Sequence, residues 1–122
     1  MELQQYETYQ EAEPLDSPMK LRDSGEQLEV LKALASDTRL KIVKLLRKKR
    51  ESPEHGLDIS SLASILDQTE ANISAQCKRL EKVGLIKIEY KPGGHGVRKI
   101  CQVDFSAIEL LLEWSSNLER CH

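Results

Sequence analysis

Between Leu57 and Gly84 the chain reads LDISSLASILDQTEANISAQCKRLEKVG, and this stretch limits the fold more than any other. Ile59, Leu62, Ala63, Ile65 and Leu66 fall at helical spacing and stop at Asp67. Only Gln68 and Thr69 separate them from a second helical run that continues to Val83. Thr69 is an N-cap residue, whose hydroxyl can accept from a backbone N–H of the first turn. Gly84 can close the second helix in a left-handed conformation.

The second helix has little to bury. At about 100° per residue, Ile73, Cys77 and Leu80 point inward together. Ala71, Ala75, Lys78 and Lys82 point away, flanked by Asn72 and Arg79. On an isolated helix such a basic face serves solubility. Two short helices joined by so brief a turn, however, form the helix-turn-helix unit, whose second helix enters the major groove of a duplex. The small residues near its start let it sink into the groove. Asn72 can offer a bidentate contact to adenine, and Ser74, Gln76, Lys78 or Arg79 can reach base edges or phosphates.

The residues after Gly84 support a DNA-binding unit. Ile86, Ile88 and Tyr90 alternate with Lys87, Glu89 and Lys91, which is strand periodicity. PGGHG is turn chemistry, and Val97 to Val103 returns as a second strand. Lys91, His95, Arg98 and Lys99 surround the bend, so its charge is of one sign. A base-tipped hairpin beside a helix-turn-helix is a wing.

Charge is distributed unevenly. The chain of 122 residues has a net charge of −2, which taken alone argues against nucleic acid. Yet Thr69 to Val103 holds seven bases against three acids, while residues 1–25 hold six acids against two bases. Residues 1–25, with Pro14, Ser17, Pro18, Ser24 and Gly25, read as a flexible acidic tail ahead of one domain over 26–122. In an alternative reading, Leu15 to Leu21 docks on a partner subunit. The domain opens with a helix carrying Leu28, Leu31 and Leu34. Ser36 or Asp37 then caps a second helix with Leu40, Ile42, Val43, Leu45 and Leu46 in its core, ending in the basic run Arg47 to Arg50. Those bases match a solvated helix C-terminus better than a phosphate contact.

The last segment, DFSAIELLLEWSSNLE, predicts a helix with two apolar stripes, Phe105, Ile108, Leu111, Leu112 on one and Leu110, Trp114, Leu118 on the other. One stripe covers the core and the second needs a further partner. Neither a membrane span nor a secretory signal is evident, and three unpaired cysteines suit a reducing compartment, so a cytoplasmic location is expected. Catalysis finds little support: PGGHG links two strands and precedes no helix, and His55 and His95 lie in loops without a nucleophile partner.

From about Leu28 to Trp114 the chain resembles the ArsR family of winged helix-turn-helix transcriptional regulators. The resemblance rests on LKALASDTRLKIVKLL, on ISSLASILDQTEANISAQCKRLEKVGLIKIE and on the wing KPGGHGVRK. It implies a mainly α (α+β) fold with a two-stranded β wing and dimerisation helices at both ends. It implies a homodimer through Leu28, Leu31, Leu110, Trp114 and Leu118, and double-stranded DNA as the partner. DNA-contacting residues would be Thr69, Glu70, Ala71, Asn72, Ser74, Ala75, Gln76, Lys78 and Arg79, with Lys91, His95, Arg98 and Lys99 on the wing. Asn72 and Ser74 fit the family pattern; Glu70 and Ala71 replace its polar pair, Ala75 its usual His, and Cys77 its usual Leu. The binding mode therefore carries over and the base preference does not.

Many relatives bind metals, through a Cys-x-Cys pair on the first helix of the unit or through Asp-x-His on the last helix. Ile59 to Asp67 has no Cys or His, and Asp104 to Ser106 lacks the His. Cys77 and Cys101 read as core, and Cys121 with His122 offers two ligands where zinc takes four. No metal or other cofactor is expected. A regulator acting as a dimeric repressor is the reading these features favour; a winged-helix protein-interaction module without specific DNA binding is the alternative.

Overall fold

The computed structural model describes residues 18–22, 24–94 and 96–112. In chain order they form β1 (Met19–Leu21), α1 (Ser24–Leu34), α2 (Asp37–Lys48), β2 (Leu57–Asp58), α3 (Ile59–Leu66), α4 (Glu70–Lys82), β3 (Lys87–Gly93), β4 (Gly96–Gln102) and β5 (Ile108–Leu110). Four helices and a three-stranded antiparallel sheet of order β2-β4-β3 make an α+β winged helix-turn-helix domain. The two-stranded wing expected from the sequence is β3 and β4, paired from Lys87↔Gln102 to Gly93↔Gly96.

α2, α3 and α4 each begin where the preceding side chain supplies an acceptor. Ser36 caps α2 by accepting from Arg39 N at 3.3 Å, and Asp58 caps α3 by accepting from Ser61 N at 2.7 Å. The core lies where the helices meet the base of the sheet. Ile42 and Leu46 of α2, Leu62 of α3, Ile73, Cys77 and Leu80 of α4, and Cys101 of β4 are wholly enclosed. Close packing also fixes one glycine: a Cβ on Gly56 would lie 2.1 Å from the Cys101 carbonyl oxygen, so only glycine lets the loop meet β4.

Three strands lie outside the sequence reading. β2 is two residues long and pairs with β4 through Leu57↔Cys101 and Asp58↔Ile100, too short to give alternation. β1 and β5 form a separate parallel pair, Met19↔Ile108 to Leu21↔Leu110. The expected helix from Asp104 is therefore corrected through Leu112: Ile108–Leu110 is a strand, and no helix is present over 104–112. An apolar run such as IELLL suits either element, and the backbone of Met19–Leu21 beside it selects the strand. Trp114 and Leu118 lie outside the described residues.

The same pairing draws the end of the acidic segment into the domain. Leu21 is buried within its own chain's core, and α1 already begins at Ser24, ahead of the boundary expected at residue 26. Gln27 locks this flank in place. Its Nε2 donates to Leu21 O and to Leu111 O, each at 2.6 Å, joining the segments that carry β1 and β5. Arg47, first of the basic run, donates from Nε to Ser106 O at 2.8 Å, which ties it to the segment after β4.

Candidate nucleic-acid interface

The turn between α3 and α4 is built by conformation as much as by hydrogen bonds. Asp67 closes α3 in the left-handed region at φ 54, and Gln68 N donates to Ala63 O at 2.9 Å. Thr69 then caps α4, its Oγ1 accepting from Asn72 N at 3.1 Å. Gly84, at φ +80, releases the chain at the other end, in the backbone region that favours glycine. All three features stand where the sequence puts them.

These constraints set which side of α4 faces out. Ile73, Cys77 and Leu80 are fully buried. Glu70, Ala71, Asn72, Ala75, Lys78, Arg79 and Lys82 are exposed, and Ser74 and Gln76 are half-buried at the margin. The inward triplet and the outward basic face thus match the sequence spacing. Cys77 and Cys101 meet inside the core. The hydrogen bond between them, and then burial, pushes the Cys101 thiol far above the ordinary cysteine range. Such a thiol stays protonated and serves as packing.

The wing stands beside the N-terminal half of α4. Lys91 is exposed and lies 3.8 Å from Glu89, a surface pair of little energetic weight. Lys99 is half-buried, Tyr90 and Val97 are exposed, and His95 lies outside the described residues. Arg98 does not extend freely into solvent. Its Nη2 and Nε donate to Asp58 Oδ2 at 2.8 and 3.3 Å, so the wing is tethered to the residue that caps α3. The backbone N–H of Ser61, more than Arg98, holds the Asp58 carboxyl below the usual carboxylate range. Asp58 in turn raises the Arg98 guanidinium. Between this tether and the start of α4 lies an open cleft of about 390 Å³, bordered by Ser60, Glu70, Ala71, Ser74 and Lys99.

Three further residues belong to the face, and the sequence reading did not select them: Arg39, Gln68 and Thr38. Arg39 of α2 is buried; its Nε donates to Ala33 O at 2.6 Å and its Nη1 to Gln76 Oε1 at 2.6 Å. Gln68 donates to Thr38 Oγ1 at 3.1 Å and accepts from Asn72 Nδ2. Two spacings could have revealed the first two. Arg39, Ile42, Val43 and Leu46 share one buried stripe, which puts a cation where an apolar residue is usual. Gln68, Asn72 and Gln76 recur every four residues, a row of amides along one face.

Among the described residues, no three His, Cys, Asp or Glu side chains gather as a metal site, and no helix is long and apolar enough to cross a membrane. Cys121 and His122 lie outside the described residues. For the expected dimer contacts, Leu28 and Leu31 are exposed on α1, and Leu110 is exposed at the end of β5.

Residues 36–87, from the cap of α2 to the first residue of β3, match the family model of the bacterial regulatory proteins of the arsR family. Over this segment the chain resembles the arsR-family helix-turn-helix. Solved structures share the winged helix-turn-helix fold over a longer stretch. A transcriptional regulator homologue from Pyrococcus horikoshii superposes with a TM-score of 0.51 at 24% identity, over 66% of this chain and 76% of that one. A homodimeric winged helix-turn-helix DNA-binding domain from Mycobacterium bovis gives 0.53 at 23% identity, over 65% and 64%. Reduced HlyU from Vibrio cholerae gives 0.51 at 19% identity, over 80% and 82%. At these identities the likeness is one of fold. A comparison with curated proteins gave no match.

Proposed function

We propose that the protein is a sequence-specific DNA-binding transcriptional regulator, working as a homodimer that represses by occupying a promoter. The outward face of α4 carries this reading: a capped helix displays amides, small residues and cations beside a wing, on an arsR-family scaffold. In this arrangement α4 enters the major groove. Thr69, Glu70, Ala71, Asn72, Ser74, Ala75 and Gln76 meet the bases, and Lys78 and Arg79 meet the phosphates. Lys91, His95, Arg98 and Lys99 follow the backbone or the minor groove. Exposed Leu28, Leu31 and Leu110 support a dimer, as does the homodimeric state of the M. bovis relative. The reading requires no cofactor.

Selection from a random duplex library, followed by fluorescence anisotropy across salt concentrations, tests it. Each phosphate neutralised by Lys or Arg contributes about −0.9 to the slope of log affinity against log salt. Lys78→Ala is expected to weaken binding to selected and scrambled duplexes alike and to flatten that slope by about one contact. Equal, weak binding of the native protein to all duplexes would sink the regulator reading in favour of a protein-interaction module.

A further inference from the structure

Resting on the DNA-binding reading, we infer that Arg39 is a positioning residue that sets which way the amides of α4 present themselves to DNA and so makes Asn72 a reader of adenine. Five side chains form a continuous relay between α2 and α4. Arg39 Nη1 donates to Gln76 Oε1 at 2.6 Å, and Gln76 Nε2 donates to Asn72 Oδ1 at 3.2 Å. Asn72 Nδ2 donates to Gln68 Oε1, and Gln68 Nε2 donates to Thr38 Oγ1 at 3.1 Å. The relay thus leaves α2 at Arg39 and returns to it at the adjacent residue.

Its direction follows from chemistry. An amide can turn over and exchange its oxygen for its nitrogen, so amides alone would leave the relay free to run either way. A guanidinium has five N–H donors and no acceptor. Gln76 must therefore show Arg39 its oxygen, which leaves its nitrogen for Asn72. Asn72 must answer with its oxygen, and Gln68 likewise. Thr38 ends the series because a hydroxyl accepts as readily as it donates. Burial, and then the neighbouring Arg79 charge, lowers the Arg39 pKa from its usual value, yet a guanidinium remains protonated in proteins. With Nε fixed on Ala33 O at the end of α1, Arg39 has little freedom to turn away.

The consequence appears on the outer face. Asn72 is exposed and spends one N–H and one lone pair on its neighbours. It keeps one donor and one acceptor, on sides fixed by the relay. Adenine offers the complementary pair in the major groove, N7 as acceptor and N6 as donor, whereas guanine offers two acceptors. An Asn72 amide locked one way discriminates between them; one free to turn discriminates less.

The test breaks the relay between Gln76 and Asn72 and, separately, at its Thr38 end, and compares base preference, using the full chain on a duplex chosen by library selection. At the base pair whose preference is lost in Asn72→Ala, the native protein is expected to favour adenine over guanine roughly tenfold. Gln76→Glu still accepts from Arg39 but cannot donate to Asn72, and its carboxylate draws the Asn72 nitrogen toward it. The preference is expected to fall to about twofold or less, with no fall in melting temperature. Because the ratio is read only at the base pair that Asn72 reads, the added negative charge and any contact of Gln76 with a neighbouring base weaken both duplexes alike and cancel. Thr38→Val removes only the terminal acceptor, so the tenfold preference is expected to persist. A purely structural relay would move melting temperature in both variants and the ratio in neither. Should Gln76→Glu keep the tenfold ratio, or Thr38→Val lose it, the inference fails while the regulator reading stands. A native protein without any base preference would overturn both.

Discussion

The helix-turn-helix and the β1–β5 flank each enclose a leucine almost completely but are specified in different ways. Leu80 of α4 is fully enclosed and Leu21 of β1 is 1% exposed. Around Leu80, local signals agree: the caps, the apolar spacing and the closing Gly84 all indicate one helix. Around Leu21 there is no periodic pattern. Its place is set by a parallel partner some ninety residues later and by the amide of Gln27. A region can therefore be integral to the core without carrying a local signature of its structure.

The most direct challenge to this contrast is to empty each site. Leu80→Ala and Leu21→Ala are each expected to cost about 2–5 kcal/mol in urea unfolding, as a buried leucine does when a cavity replaces it. A loss near zero for Leu21→Ala would return β1 to the flexible tail that the composition suggests. A smaller effect isolates the flank from the helix. Gln27→Met keeps the volume but leaves the Leu21 and Leu111 carbonyls without their amide donor, with an expected loss of about 1–3 kcal/mol. Hydrogen exchange should then rise in β1 and β5 and stay unchanged in α4.

A third and weaker effect concerns the join between wing and helix. Asp58 titrates below its ordinary value in the folded chain, so the stability it contributes is complete above about pH 4. That contribution is lost as pH falls through the lower folded value. Asp58→Asn can still cap α3 but lacks the charge facing Arg98. In melts recorded from pH 7 downward, the native protein should exceed the variant near neutrality, and the gap should close on acidification below pH 4. A gap constant across that range would show that the carboxylate charge contributes nothing.

Elements with local causes are legible in the chain before it folds. Thr69, Asp67 and Gly84 mark helix ends through backbone conformation and the nearest N–H groups, over distances of a few residues. The split of α4 into Ile73, Cys77, Leu80 and a polar outer row follows from helical geometry, and the alternation from Ile86 to Tyr90 follows from the pleat. Features that depend on a partner distant in sequence were settled in three dimensions. Ile108–Leu110 became a strand because Met19–Leu21 lies beside it, and Arg98 turned back because Asp58 lies forty residues earlier. The orientation of the Asn72 amide belongs to the same class. Its row of amides is visible in the sequence, but the guanidinium that gives the row a direction reaches it from another helix, and a one-dimensional pattern holds no record of that approach.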